Sequence, residues 1–131
     1  MKIHEIYDFI KKKYNLIEEE QAFNTISLSI DNDVSVLYLD REFNRIYLSD
    51  DIFYSKGLKQ ILTHFSANCE LQNDVNDVNV VNSIIEKIDL LMKQYELAKL
   101  EEKKYLVKMK KRELAKDFVW LLITMWMFLS I

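Results

Sequence analysis

The sequence predicts an α+β fold: an N-terminal helix, an antiparallel sheet of three or more strands, a short helix, and a long C-terminal helix with a hydrophobic end. Apolar residues recur every three or four positions from Ile3 to Ile17 and again after Ser83, as on one face of a helix. Between residues 25 and 48 the period changes to two, which is typical of half-buried strands. The chain has no proline and one glycine, which favours long regular elements.

Size and composition limit the classes of protein that fit. A chain of 131 residues, half of them hydrophobic and 30% charged, can build one globular core of modest size. Cys69 is the only cysteine, which excludes an internal disulfide and fits a reducing compartment. The net charge is −3, and residues 99–117 carry a local excess of +4, which leaves −7 on the remainder. Such an acidic body disfavours nucleic acid as the main partner.

The first helix is predicted over residues 2–17, and three strands of an antiparallel meander follow it. The first strand is expected at Thr25–Ile30, because apolar and polar residues alternate there, and the second and third are expected at Val34–Leu39 and Ile46–Leu48. The connection at residues 31–33 is an Asp-Asn-Asp turn, and both connections are short enough to keep neighbouring strands antiparallel.

The second of these strands carries apolar groups on both faces. Val34, Val36 and Tyr38 fall on one face, and Leu37 and Leu39 fall on the other. A small antiparallel sheet normally leaves one face polar and wet. Two interpretations stay open: the strand is covered on both sides, or one face is kept apolar for a partner.

A short second helix is predicted after Ser55, which can act as its N-cap. Its apolar stripe would consist of Leu58, Ile61, Leu62, Phe65 and Cys69. Residues 70–82 are acidic and rich in asparagine, which predicts a loop or one irregular strand around Val78–Val81.

The long C-terminal helix is predicted to begin at a capping box formed by Ser83 and Glu86. Its apolar stripe is Ile84, Ile85, Ile88, Leu91, Met92, Tyr95 and Ala98. The stripe stops there, because most of the side chains from position 99 to position 117 are charged. The chain therefore divides into an α+β domain, residues 1–98, and a charged helical extension with a hydrophobic tail, residues 99–131.

The tail, Phe118–Ile131, is apolar all the way round, so it requires burial in protein or in lipid unless the end of the chain is altered. At about 1.5 Å per residue it spans roughly 21 Å, less than the ~30 Å hydrocarbon core of a bilayer. Trp120 and Trp126 nevertheless suit a membrane interface, and the basic run 108–116 suits the flank of an anchor. Membrane contact through this tail is one of the two expectations.

No motif for catalysis or for a cofactor is found in the sequence. His4 and His64 are sixty positions apart and Cys69 has no second cysteine beside it, so neither a metal site nor a catalytic cysteine is expected. A calcium-loop template can be laid on residues 31–42, but Val36 stands where that loop needs glycine. With one glycine, phosphate-binding glycine motifs are excluded. We expect no catalytic, cofactor-binding or metal-binding residues.

Several stretches resemble the class I type III secretion chaperones, the Tir-chaperone family. The likeness lies in IYDFIKKKYNL, FNTISLSIDNDVSVLYLDREFNRIYL, LKQILTHFSANCEL and SIIEKIDLLMKQYELA, and it covers roughly residues 3–98. Members of that family usually have two further strands and lack a basic helix with a hydrophobic tail. The resemblance implies a dimeric, non-catalytic chaperone in the bacterial cytoplasm that holds an extended segment of a secreted effector or translocator.

This resemblance gives specific expectations for the sheet and the apolar stripes. A client peptide would lie on a partly exposed sheet face that carries Leu37, Leu39 and Tyr47. The two apolar stripes exceed what a small sheet can cover, which predicts a homodimer. Its interface would be drawn from Leu58, Ile61, Leu62, Phe65, Ile88 and Leu91. The alternative function is a membrane-tethered structural or assembly protein that is anchored by its C-terminal hydrophobic helix.

Overall fold

The computed structural model describes residues 1–31, 33–74 and 77–130, and these form two helices and seven strands. The elements are α1 (Ile3–Lys13), β1 (Ile17–Glu20), β2 (Thr25–Ser29), β3 (Ser35–Asp40), β4 (Arg45–Leu48), β5 (Asp51–Ser55), β6 (Gln60–His64), β7 (Cys69–Gln72) and α2 (Val78–Leu129). The predicted α+β class is confirmed, as are the N-terminal helix, the antiparallel sheet and the long C-terminal helix. The turn predicted at Asn32 and the last residue, Ile131, lie outside the described residues.

The main sheet is antiparallel throughout and has the strand order β1-β2-β3-β4-β7. Residues paired across antiparallel strands share a face. The pairs of Leu28 with Leu37 and of Leu37 with Leu48 therefore define one face, which we call the inner face. Its apolar residues are all buried: Ile26, Leu28, Leu37, Leu39, Ile46, Leu48 and Leu71.

Both helices contribute apolar stripes to the same core as the inner face. In α1 the buried stripe includes Ile3, Ile6 and Ile10, and in α2 it is Ile84, Ile88, Leu91, Tyr95 and Ala98. The Tyr7 hydroxyl of α1 donates to Oε1 of Glu18 at 2.5 Å, and Glu18 is paired with Leu28, which places α1 on the inner face. The Tyr14 hydroxyl donates to Oδ1 of Asp89 in α2 at 2.6 Å, so the two helices are also joined directly.

The short helix predicted after Ser55 is wrong, because this part of the chain forms the β5–β6 hairpin. Ser55 does accept a backbone hydrogen bond, from the Leu58 N–H at 3.2 Å, but that bond closes the hairpin turn instead of capping a helix. Lys59, with φ of 56°, adopts the left-handed conformation that completes the turn. The buried Ile52 and Tyr54 then lie along α2, where the Ile52 N–H donates to Oε1 of Gln94 at 2.9 Å.

Three further boundaries differ from the predictions. The first helix ends at Lys13, and the residues that follow form β1, a strand that the sequence did not predict. The C-terminal helix begins at Val78 instead of Ser83, because Oδ1 of Asp77 accepts a hydrogen bond from the Asn79 N–H at 2.9 Å and caps it. The irregular strand considered around residues 78–81 is therefore wrong, and Cys69–Gln72 supplies the strand instead.

Helix α2 is 52 residues long, about 78 Å at 1.5 Å per residue. Its last buried residue is Ala98. Beyond it, Nζ of Lys99 lies 3.7 Å from Oδ2 of Asp31, and the Tyr105 ring lies 6.0 Å from that of Tyr54. Every described residue from 110 to 130 is exposed. The helix runs without a break through the expected boundary at residue 98, so its second half projects away from the core.

Candidate partner-binding surfaces

The predicted client surface is wrong for two of its three residues, because these two belong to the core. Leu37 is fully buried and Leu39 is 6% exposed, whereas the prediction required both to be partly exposed. Each pairs with an apolar residue of β2, Leu37 with Leu28 and Leu39 with Ile26, and all four belong to the core that also contains the buried residues of both helices. Alternation in β3 separates the two faces correctly, but the face that carries these leucines is the inner one.

Tyr47 lies on the opposite, outer face, where it is half-buried beside other aromatic rings. It pairs with Tyr38 across β3 and β4, and the connection from β6 to β7 places Phe65 against both. The Phe65 ring centroid is 4.7 Å from that of Tyr38 and 6.2 Å from that of Tyr47. Phe65 is 40% exposed. We call these three residues the outer aromatic cluster; the sequence pattern had predicted Phe65 on a helix.

Polar side chains of β2 and β4 lie next to the outer aromatic cluster. Ser27, the β2 partner of Tyr38, is buried and accepts a hydrogen bond at its Oγ from Nε2 of Gln21 at 3.0 Å. Arg45, two residues before Tyr47, holds its guanidinium carbon 5.2 Å from the centre of the Phe43 ring. A cluster of aromatic rings with a polar border is the usual composition of a protein-binding patch.

The two edge strands of the sheet differ in what they present. β1 carries three consecutive glutamates, and Glu20 is held by Arg41 through bonds of 3.2 and 2.8 Å. β7 begins with Cys69, the partner of Tyr47, so its outer face continues the outer aromatic cluster. A row of charges discourages pairing with another strand. The edge at β7 is therefore the better place for an added strand.

The residues predicted for dimerisation do not form a common surface. Ile88 and Leu91 are buried in the core of the chain, so they offer no contact area to a second copy. Ile61 and Leu62 are half-buried in β6, while Leu58, 64% exposed, lies in the hairpin turn. The stripe that joined them was a helical pattern, and a hairpin distributes the same residues over two faces.

The second half of α2 presents two consecutive zones. The first, residues 108–117, has five basic and two acidic residues, and we call it the basic band. It begins at a cleft of about 500 Å³ that is lined by Lys56 of the hairpin turn and by Glu101, Lys104, Tyr105, Lys108 and Arg112 of α2. The second zone, residues 118–129, exposes its eleven large apolar side chains to between 47% and 84%, and we call it the apolar segment. Within the described residues, no helix combines the length and apolar character needed to cross a membrane.

His64 and Cys69 contact different groups. His64 faces two carboxylates, with Nδ1 3.3 Å from Oδ2 of Asp50 and 4.0 Å from Oδ2 of Asp51. Cys69, exposed, donates through its Sγ to the Leu71 carbonyl at 3.3 Å. Among these residues no group of three or more His, Cys, Asp and Glu side chains could hold a metal ion.

Neither protein families, nor characterised proteins, nor solved structures provide a match to this chain. The surface features that bear on function are the outer aromatic cluster and the two zones of α2.

Proposed function

We propose that this protein is a non-catalytic binding protein that holds an extended segment of another polypeptide, as do the secretion chaperones that it resembles. The client would be a secreted effector or translocator in the bacterial cytoplasm. The observation that supports this proposal is the outer aromatic cluster, a partly exposed group of three rings on the sheet face opposite the helices. Partner contacts of aromatic side chains contribute strongly to binding energy.

The client segment would bind as an added strand next to β7. Its main chain would pair with the β7 backbone, and its alternate side chains would lie against Tyr47 and Phe65. Residues 1–98 carry a net charge of −7, which favours a client segment with basic residues beside its apolar ones. A homodimer would leave this edge open if its contacts lie on the outer surface of the hairpin, where Phe53 is 44% exposed and pairs with Leu62.

The test compares the polypeptides that co-purify with the full chain and with two variants in its native host. Tyr38→Ser/Phe65→Ser removes two rings of the outer aromatic cluster, and we expect at least a tenfold loss of the co-purified client with the circular dichroism of the folded protein retained. The matched control is Phe23→Ser, which removes the most exposed phenylalanine, 92% exposed in the β1–β2 turn. The proposal fails if no polypeptide co-purifies with the wild type, or if the cluster variant retains its client.

The apolar segment favours a second candidate function, a membrane-tethered structural or assembly protein. Apolar side chains of this number are rarely left in water, and exposed patches of this kind mark protein or membrane contacts. Fractionation distinguishes this function from the first one. A tethered protein sediments with membranes and is released by detergent, whereas a chaperone acting without a tether stays in the supernatant.

A further inference from the structure

We propose that the basic band and the apolar segment dock together, end-on, into one leaflet of an anionic membrane. This inference rests on the second candidate function and specifies its partner as a lipid surface with negatively charged headgroups. Three observations carry it: the distribution of apolar side chains around α2, the distribution of cations around α2, and the lengths of the two zones.

The apolar segment has no polar face that would remain in water. Residues 118–129 include one polar residue, Thr124, whose hydroxyl donates to the Trp120 carbonyl at 2.8 Å and so needs no outside partner. A pair of helices covers a stripe of each partner and leaves the remaining surface exposed. A second copy of α2 would therefore leave much of this segment in water, whereas a lipid phase covers it on every side.

Four of the five cations of the basic band lie within a sector of about 140°, and the fifth, Lys110, projects from the opposite side of the helix. At about 100° per residue, Lys110 projects about 160° away from Lys108, while Arg112 and Lys116 lie within about 80° of Lys108 on one side and Lys111 lies about 60° away on the other. A helix that lies flat on a membrane has its cations on one face and its apolar residues on the opposite face. Here the two kinds of residue are separated along the helix axis, so the axis would enter the membrane steeply.

The lengths of the two zones fit one leaflet. The apolar segment has 12 residues, about 18 Å, and half of a ~30 Å hydrocarbon core is about 15 Å. The basic band precedes it directly and would lie among the headgroups. Its net charge of +3, after subtraction of Glu113 and Asp117, complements anionic lipids. Trp120 would then lie near the interface and Trp126 about 9 Å deeper.

Binding of the full chain to two kinds of vesicle tests the headgroup requirement. We expect the chain to bind mixed vesicles of phosphatidylcholine and phosphatidylglycerol at least about tenfold more tightly than vesicles of phosphatidylcholine alone. The variant Lys108→Gln/Lys110→Gln/Lys111→Gln should lose that difference. The matched control Lys2→Gln/Lys12→Gln/Lys93→Gln removes the same charge from lysines outside the band and should keep it.

The two tryptophans report the orientation, because the chain has no others. In the single-tryptophan variants Trp120→Phe and Trp126→Phe, quenching by lipids brominated at different depths gives the position of the remaining ring. End-on docking predicts that Trp126 lies deeper than Trp120 by several ångströms. Equal depths would overturn the end-on orientation.

The outcomes separate the inference from the function on which it rests. Equal binding to neutral and anionic vesicles would overturn the headgroup requirement and leave the membrane tether standing. Absence of binding to both, with an oligomer of the full chain that forms through α2, would overturn the tether itself and assign the apolar segment to a second copy. Anionic preference, its loss in the band variant, and a deeper Trp126 together would support the proposal.

Discussion

Two tyrosine hydroxyls attach α1 to the rest of the molecule. Tyr7 donates to Glu18 of β1, and Nζ of Lys11 lies 3.7 Å from the same carboxylate. Tyr14 donates to Asp89 of α2. Burial, followed by the hydrogen bond to Glu18, raises the pKa of Tyr7 far above its ordinary value of 10.0, and burial with the bond to Asp89 raises the pKa of Tyr14. Both bonds require that the hydroxyl keeps its proton.

These pKa directions predict alkaline sensitivity. In the unfolded chain the hydroxyls lose their protons near pH 10, whereas the folded protein retains them, so the stabilisation is complete below pH 10 and declines as the pH rises above it. Tyr7→Phe should cost about 1 kcal/mol at neutral pH through the lost hydrogen bond. It should also make the decline above pH 10 shallower.

Urea unfolding at several values between pH 8 and 11 measures both effects. Tyr14→Phe serves as the parallel case, and the double variant should show the shallowest decline. A wild-type stability that stays constant from pH 9 to 11 would contradict the prediction.

The elements show which sequence signals determine structure. Alternation located β2 correctly, because Ser27 and Ser29 interrupt apolar residues at a strict period of two, and short apolar runs located β3 and β4. Leu58, Ile61, Leu62 and Phe65 fit a helical stripe equally well, and the choice of a hairpin depends on packing against α2, which no local pattern contains. β1 becomes a strand because it pairs with β2, although Glu18, Glu19 and Glu20 have low strand propensity.

The candidate site was predictable only in part, for a related reason. Alternation in β3 shows that Leu37 and Tyr38 point to opposite faces, but it does not show which face is covered. The register supplies the answer, since Leu37 lies opposite Leu28 and Tyr38 lies opposite Ser27. Phe65 contacts Tyr38 from the connection between β6 and β7, and the spacing of residues in the sequence does not predict a contact of that kind.

The start of α2 provides a prediction for a single element. Asp77 caps the helix, so Asp77→Ala should lower the free energy of unfolding by about 1 kcal/mol. Ser83, which the sequence pattern favoured, lies inside the helix, and Ser83→Ala should change stability by less than about 0.5 kcal/mol. Chemical denaturation of both variants measures the two changes in the free energy of unfolding. A larger decrease for Ser83→Ala than for Asp77→Ala would show that residue 83 is the N-cap of α2.

At the scale of the whole molecule, the core occupies only the first three quarters of the chain. All buried residues among those described lie between Ile3 and Ala98, while α2 continues as far as Leu129. The core therefore does not depend on the basic band or the apolar segment for its stability. Exposed apolar patches as large as the apolar segment mark contacts with proteins or membranes.

Removal of residues 118–131 tests this division. Because every described residue of this segment is exposed, the free energy of unfolding should change by less than about 0.5 kcal/mol. Sedimentation should show a less aggregated species, since the large exposed apolar surface is gone. A loss of more than about 2 kcal/mol would mean that the segment folds back onto the domain.

Because α2 is continuous, it also fixes the orientation of the sheet relative to the apolar segment about the helix axis. Residues 99–117 contain neither proline nor glycine, so no kink is expected there. The direction in which Tyr38, Tyr47 and Phe65 point relative to the apolar segment is therefore set by the number of residues between them. Deletion of one residue from 99–117 would rotate the sheet by about 100° about the helix axis relative to the apolar segment. Deletion of seven would leave the rotation within about 20° of the original and bring the sheet about 10 Å closer to that segment. The length of α2 thus sets both the distance and the rotation of the outer aromatic cluster relative to the apolar segment.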